Sequence, residues 1–331
     1  MDVLVIGGTG FLGRHLVEAA LGEGHGVTLF NRGFREPGLF PEVETIRGDR
    51  EADLAALRGR RWDAAIDTCG YVPRLVRASA GMLADVVEHY TFVSSISVYS
   101  VGIAPGADEE APVQKLADEE GEEVTGETYG GLKVLCERAA EEEMAGRVLN
   151  VRPGLISGPH DPTDRFTYWP RRISAGGEVL APDHPGRRVQ FIDVRDLAAS
   201  RMVEMSAEQR TGTYNATGPD YDLQMGRLLD ECETVSNGGA ELVWVSEEFL
   251  EEHRVEPFTE LPLWLPREYD ALQAIDCTKA IAAGLAFRPL SETIADVLDW
   301  DHTRSKDERT DAGLRPERER ELLRAWQGAT L

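Results

Sequence analysis

Residues 1–20 read MDVLVIGGTGFLGRHLVEAA, and the three glycines inside that stretch, Gly7, Gly10 and Gly13, decide the fold. Val3, Leu4, Val5 and Ile6 form an apolar, largely β-branched run, too short for a helix and bounded by glycine, so they predict a buried strand. Leu12, Leu16, Val17 and Ala20 then recur at helical spacing. The glycines therefore stand at a strand-to-helix turn, where bare N–H groups point outward with no side chains in the way. A helix start of that kind binds anions, and a pyrophosphate can lie directly against it. Gly7, Thr9, Gly10, Phe11, Leu12 and Gly13 are thus the expected contacts of a dinucleotide. A tight turn that only closes a βα unit would use the same glycines; the strand before and the helix after favour the ligand.

Working outward, the pattern to about residue 98 alternates strand and helix. Strands are expected at GVTLFN (26–31), VETIRGD (43–49), WDAAIDTCG (62–70) and HYTFVSS (89–95), with a helix over RLVRASAGMLADVVE (74–88). Alternation predicts an α/β fold, a doubly wound parallel sheet of the Rossmann type, with ligands at the carboxyl ends of the strands. Residues 101–127 are acidic and broken by Gly and Pro, which reads as an exposed loop. A helix over ETYGGLKVLCERAAEEEM (127–144) and a strand over RVLNVRPG (147–154) follow. Beyond 153 the chain turns loop-rich, with arginines and aromatics interleaved around residues 158–196. The expected division is a dinucleotide-binding domain over 1–153 and a smaller, mainly substrate-binding domain over 154–331, some segments of which return to the first. Helices are expected at VRDLAASRMVEM (194–205) and LRPERERELLRAWQ (314–327).

Bulk properties narrow the function. The chain has 331 residues, enough for one large or two modest domains, with 42% hydrophobic and 28% charged residues. No apolar run approaches the roughly twenty residues of a membrane span, and no basic leader precedes the first strand, so a cytoplasmic chain without membrane contact is expected. Cys69, Cys136, Cys232 and Cys277 are far apart and match neither metal nor disulfide spacing. A formal net charge of −24 repels phosphate backbones, which argues against a nucleic-acid partner.

Tyr129 and Lys133 are four apart on one predicted helix and project from the same face. An ammonium beside a phenol favours the phenolate and lets it exchange protons with a substrate hydroxyl near neutrality. Tyr-x-x-x-Lys is common by chance, but Ser94 and Ser95 end a strand of the same sheet. A serine hydroxyl there can hold the oxygen that the tyrosine protonates.

The glycine turn, these serines and Tyr129/Lys133 together resemble the extended short-chain dehydrogenase/reductase superfamily. NVRPGLISGP (150–159), FIDVRDLA (191–198) and AIAAGLAFRPLSETIADVLDW (280–300) extend the resemblance over most of the chain. It implies a Rossmann domain with a smaller C-terminal substrate domain. It also implies Ser95 as the catalytic serine, Tyr129 as acid/base, and Lys133 as the group that binds the nicotinamide ribose and tunes the tyrosine. Asp49 falls where adenine is usually contacted, and Gly70 in the turn beside the cofactor. Helix-mediated dimers are common in the superfamily, so a homodimer is an implied partner.

Three departures from the pattern carry information. Where NAD-specific members place an acidic residue after the second strand, this chain has Asn31 and Arg32; an amide and a guanidinium suit a 2′-phosphate, so NADP(H) is favoured over NAD(H). Around CGY (69–71) the relay asparagine of many members is not evident; together with the doubled glycine of GGTGFLG (7–13) and the NRG that follows (31–33), this resembles an atypical branch of the superfamily labelled epimerase, isoflavone-reductase-like or mRNA-binding. Third, the arginine that sugar epimerases use for a diphosphate is replaced by Val189, next to Arg187 and Arg188. Arg165, Tyr168, Trp169, Arg171, Arg172 and Arg188 are alternative grips for an anionic or ring-shaped substrate. The expected function is hydride transfer between a nicotinamide and a hydroxyl or carbonyl carbon of a small, sugar-like molecule. Its rivals are a nucleotide-sugar epimerase or dehydratase that recycles a tightly bound cofactor, and a non-catalytic dinucleotide sensor or RNA-binding relative.

Overall fold

The computed structural model describes residues 1–310 and 312–329. The chain divides into two compact units: Met1–Gly154 with Val194–Thr217 and Ile275–Ala286, and Leu155–Asp193 with Gly218–Ala274 and Phe287–Leu331.

In the first unit seven strands form one sheet: β1 (Asp2–Ile6), β2 (Gly26–Asn31), β3 (Glu44–Arg47), β4 (Trp62–Asp67), β5 (Val87–Val93), β6 (Val148–Pro153) and β10 (Gly212–Ala216). Their order is β3-β2-β1-β4-β5-β6-β10, and every pairing is parallel. Val3 to Ile6 are fully buried because a central parallel strand is covered on both faces. The order reverses between β1 and β4, the place where doubly wound sheets open a crevice for ligands. Helices α1 (Phe11–Gly22), α2 (Pro73–Leu83) and α3 (Tyr129–Glu143) pack on this sheet around a core that includes Leu4, Phe30, Trp62, Val76, Tyr90 and Ala139.

Two expected helices differ in extent. α2 stops at Leu83, and Val87 and Glu88 open β5 instead, since the β-branched pair Val86–Val87 favours the sheet. VRDLAASRMVEM is helical, but Leu197–Met202 winds as a wider π segment between α-helical ends. The strand β10 lies beyond the boundary expected at 153 and belongs to the first unit's sheet.

The second unit holds two small parallel pairs, β7 (Leu155–Ser157) with β9 (Phe191–Asp193), and β8 (Gly177–Pro182) with β11 (Ala240–Val245). Helices α4 (Tyr168–Ser174), α5 (Met225–Ser236), α6 (Leu290–His302) and α7 (Pro316–Ala329) surround a separate core that includes Phe166, Trp169, Leu180, Leu229, Trp264 and Ile294.

Candidate active site

The carboxyl ends of the first unit's strands carry the expected residues. After β1, Gly7 has φ +94°, a conformation only glycine adopts freely, and a Cβ on Gly13 would stand 2.2 Å from Gly7 O. The third glycine thus lets α1 pack directly on the turn. Gly10 caps α1 without a side-chain hydrogen bond, so the first-turn N–H groups are left for an outside acceptor. A Cβ on Gly10 would meet nothing nearer than Gly7 O at 3.6 Å. This is a cradle that fits a pyrophosphate. Thr9, Phe11 and Leu12 line the same turn. At the end of β2, Asn31 Oδ1 accepts from Gly33 N at 2.9 Å, while Asn31 Nδ2 is buried with no hydrogen-bond partner. A buried amide donor without an acceptor fits a bound ribose or phosphate oxygen. Arg32 is exposed, and Asp49 folds its carboxylate back onto Glu51 N in an Asx turn.

On the other side of the switch point, Lys133 is 2% exposed, and its Nζ donates to Gly70 O at 2.8 Å and Val93 O at 2.7 Å. The ammonium therefore ties the turn after β4 to the end of β5, just before Ser94 and Ser95. Burial lowers the Lys133 pKa to about 8, against the pull of Cys136, Asp67 and Glu137 towards the charged form. It lies 4.7 Å from the Phe92 ring and 5.0 Å from the Tyr71 ring. Tyr129, one turn before it at the start of α3, is half-buried with its ring 6.4 Å from that of Tyr71. The helix reaches this position because Gly130 has no side chain: a Cβ there would stand 2.1 Å from Ser97 O. Ser95 Oγ accepts from Ser97 N and donates to Ser97 Oγ, both at 3.1 Å. Ser94 Oγ is buried with no hydrogen-bond partner. The start of α3 thus packs against the segment after β5 that carries Ser95 and Ser97.

Sequence reasoning missed the scaffold beneath. Asp67, fully buried at the end of β4, accepts from Arg50 at 2.7 and 3.1 Å, from Tyr90 Oη at 2.8 Å and from Cys69 N at 3.0 Å. Burial works to raise this carboxyl, but Arg50 and its hydrogen bonds hold it below the usual range. The Cys69 bond shapes the turn that presents Gly70 O to Lys133. The signal was legible: an aspartate inside the apolar run AAID needs a buried partner. Tyr71, 47% exposed beside Lys133, was noted only for the asparagine missing near it.

In the second unit two residues of the expected substrate grip lie in the core. Trp169 is fully buried and its indole donates to Pro262 O at 2.7 Å, and Tyr168 is 5% exposed in the same core. Both are packing residues, because the apolar face of α4 turns inward. Arg171 pairs with Asp301 at 2.8 Å and Arg172 with Glu319 at 2.7 Å. Arg187 is buried among Asp183, Glu247 and Asp270. Arg165 is half-buried over the Phe258 ring at 4.9 Å, and Arg188 is exposed and paired with Asp222. Among the described residues no group of His, Cys, Asp and Glu could hold a metal ion, and no helix is long and apolar enough to cross a membrane.

A seven-stranded parallel sheet in this order, with a glycine turn after its first strand, defines a Rossmann-type protein. The chain belongs to the NAD dependent epimerase/dehydratase family, whose model matches residues 3–216. The match agrees with the resemblance to extended short-chain dehydrogenases/reductases. A similar solved structure is UDP-glucuronic acid 4-epimerase from Bacillus cereus in complex with NAD, at 15% identity and TM-score 0.65, covering 92% of this chain and 99% of that one. Another is UDP-glucose 4-epimerase from Thermotoga maritima with UDP-glucose, at 16% identity and TM-score 0.67, with the same coverage. Among curated proteins the chain is similar to the chloroplast stem-loop binding protein of 41 kDa b of Arabidopsis thaliana, 26% identical over 242 residues. That match takes in 66% of this chain and 59% of the plant protein, so the chain spans about three fifths of its relative's length.

Proposed function

We propose that the chain is a nicotinamide-dinucleotide oxidoreductase acting on a hydroxyl or carbonyl carbon of a small, sugar-like substrate. The observation that carries this is Lys133: a buried ammonium anchored between the strand ends, one helical turn from Tyr129 and adjoining the serines after β5. When bound, the nicotinamide supplies the site that accepts or returns a hydride. The protein's own part is the proton. Tyr129 takes it from a substrate hydroxyl or delivers it to the carbonyl, and Ser95 Oγ holds the same oxygen. The Lys133 ammonium favours the phenolate and has a third N–H left for the ribose.

Within this reading NADP(H) is favoured over NAD(H), because Asn31 and Arg32 stand where a ribose-binding carboxylate would otherwise be. NAD is what the Bacillus cereus epimerase holds. Family membership supports a second form of the reaction, in which an epimerase or dehydratase oxidises its substrate transiently and the hydride returns. A stem-loop partner, for which the plant relative is named, is disfavoured here by the −24 charge.

The test is to purify the protein without added cofactor, denature it and identify any dinucleotide released. One near-stoichiometric dinucleotide per chain means recycling; an empty protein that binds NADPH means an exchanging reductase, to be screened with ketones and secondary alcohols. Tyr129→Phe is expected to cut turnover about 10²–10⁴-fold, the range of general acid–base catalysis, with cofactor affinity little changed. Near-normal turnover in that variant would remove Tyr129 from the mechanism.

A further inference from the structure

We infer that Tyr71 is a positioning residue for the proton-transfer pair: its ring covers the solvent side of the Lys133 ammonium and keeps that charge in place beside Tyr129. The inference rests on the proton-transfer reading above and deepens it.

Lys133 Nζ donates to two main-chain carbonyls, Gly70 O and Val93 O, and two aromatic rings face it, Phe92 at 4.7 Å and Tyr71 at 5.0 Å. Both rings lie within the roughly 6 Å over which an aromatic face attracts a cation. Phe92 is fully buried on β5, whereas Tyr71 is 47% exposed, so Tyr71 is the wall between the ammonium and water. The Tyr71 ring is also 6.4 Å from that of Tyr129, at an interplanar angle of 39°. One ring thus borders both members of the pair.

Local structure holds it there. A Cβ on Gly70 would stand 2.5 Å from Phe92 Cε2 and 2.7 Å from Val76 Cγ2, so the turn after β4 is packed closely on its neighbours. Val72 is extended, as a residue before proline prefers, and Pro73 starts α2. The backbone of Tyr71 is therefore fixed on both sides.

Charge decides what the ring is for. Burial disfavours the ammonium, and Cys136 and Glu137 on α3, Asp67 on β4 and Cys69 in the turn favour it. Asp67 is already engaged by Arg50 at 2.7 Å. Burial, with Cys69 and Asp67, raises the Tyr71 phenol above its ordinary value, and Arg35 opposes them. Of the two phenols, Tyr71 therefore stays neutral and presents a π face to the cation, and Tyr129 is left to ionise.

Ultraviolet titration of phenolate absorbance in the intact protein tests this without a substrate. The difference between each protein and the same protein carrying Tyr129→Phe isolates the Tyr129 step, which in the wild type is expected below the free-tyrosine value of about 10. Tyr71→Leu keeps an apolar cover and removes the π face; it is expected to raise the Tyr129 step by about 0.4–1.5 in pH, the worth of a cation–π contact. Tyr71→Phe keeps the face and is expected to titrate as the wild type does. An unmoved or lowered Tyr129 step in Tyr71→Leu, or the same rise in Tyr71→Phe, would overturn the role of the Tyr71 ring while a low wild-type step left the proton-transfer pair standing. A wild-type Tyr129 step at the free-tyrosine value would overturn the pair and the inference together.

Discussion

Lys133 shows how much chemistry one residue can carry when its surroundings are fixed. Its ammonium sits out of water with two main-chain carbonyls as partners, and burial brings its pKa from the usual 10.5 to about 8. Folding therefore weakens proton binding at this site. The stability linked to this titration is present above the free-lysine range and is lost as pH falls through about 8. Relative to a Lys133→Met variant, the wild type should gain stability between pH 8 and 10.5. Urea midpoints of both proteins at pH 7.5 and 10 measure the difference; a gap that stays constant would show that the amine is not titrating in this window. The spacing to Tyr129 was readable from sequence because i and i+4 share a helix face. The carbonyls that anchor the amine were not, since Gly70 and Val93 come to it from other strands.

Elements, rather than single residues, set where the acid/base group stands. Gly130 is the point of contact between α3 and the turn that follows β5, with room for a hydrogen and none for a methyl beside Ser97 O. Gly130→Ala forces the helix start outward, and overpacking of this kind costs about 1–3 kcal/mol. We expect a lowered denaturation midpoint, reduced turnover from a displaced Tyr129, and unchanged binding of adenylates, whose cradle lies on β1 to β3. Full turnover in a stable Gly130→Ala protein would mean that the approach of α3 to this turn is not critical. The buried Arg50–Asp67 pair plays a similar part below the turn after β4: it fixes the direction of Cys69 N, and through it the carbonyl that Lys133 uses.

At the scale of the whole molecule each unit carries its own core, and the proposed dinucleotide and proton-transfer residues all belong to the first. The aromatic stretch around residue 168 consequently serves stability. Trp169→Ala should destabilise the protein by about 3–5 kcal/mol, as large aromatic deletions in cores do, while the folded variant keeps its adenylate affinity; calorimetry below and through the unfolding transition checks both. Lost affinity at temperatures where the variant is folded would tie Trp169 to the site.

Local pattern was enough for the α/β alternation, the glycine turn and the Tyr129–Lys133 face, because each rests on spacing within one element. It was also enough to mark Asn31 and Arg32 as a departure at the end of β2. Only tertiary structure decided which charges are free. Arg171 and Arg172 read in sequence like ligands for an anion, yet Asp301 and Glu319, more than a hundred positions away in sequence, claim them. Arg47 drew no notice in sequence, yet among the described residues it has no ion pair and lies beside Gly33. The same long-range packing brought β10 back into the first sheet and turned Trp169 into core. The physical reason is common to all: a side chain's partner is set by which strands and helices meet, and those meetings join segments that are remote along the chain.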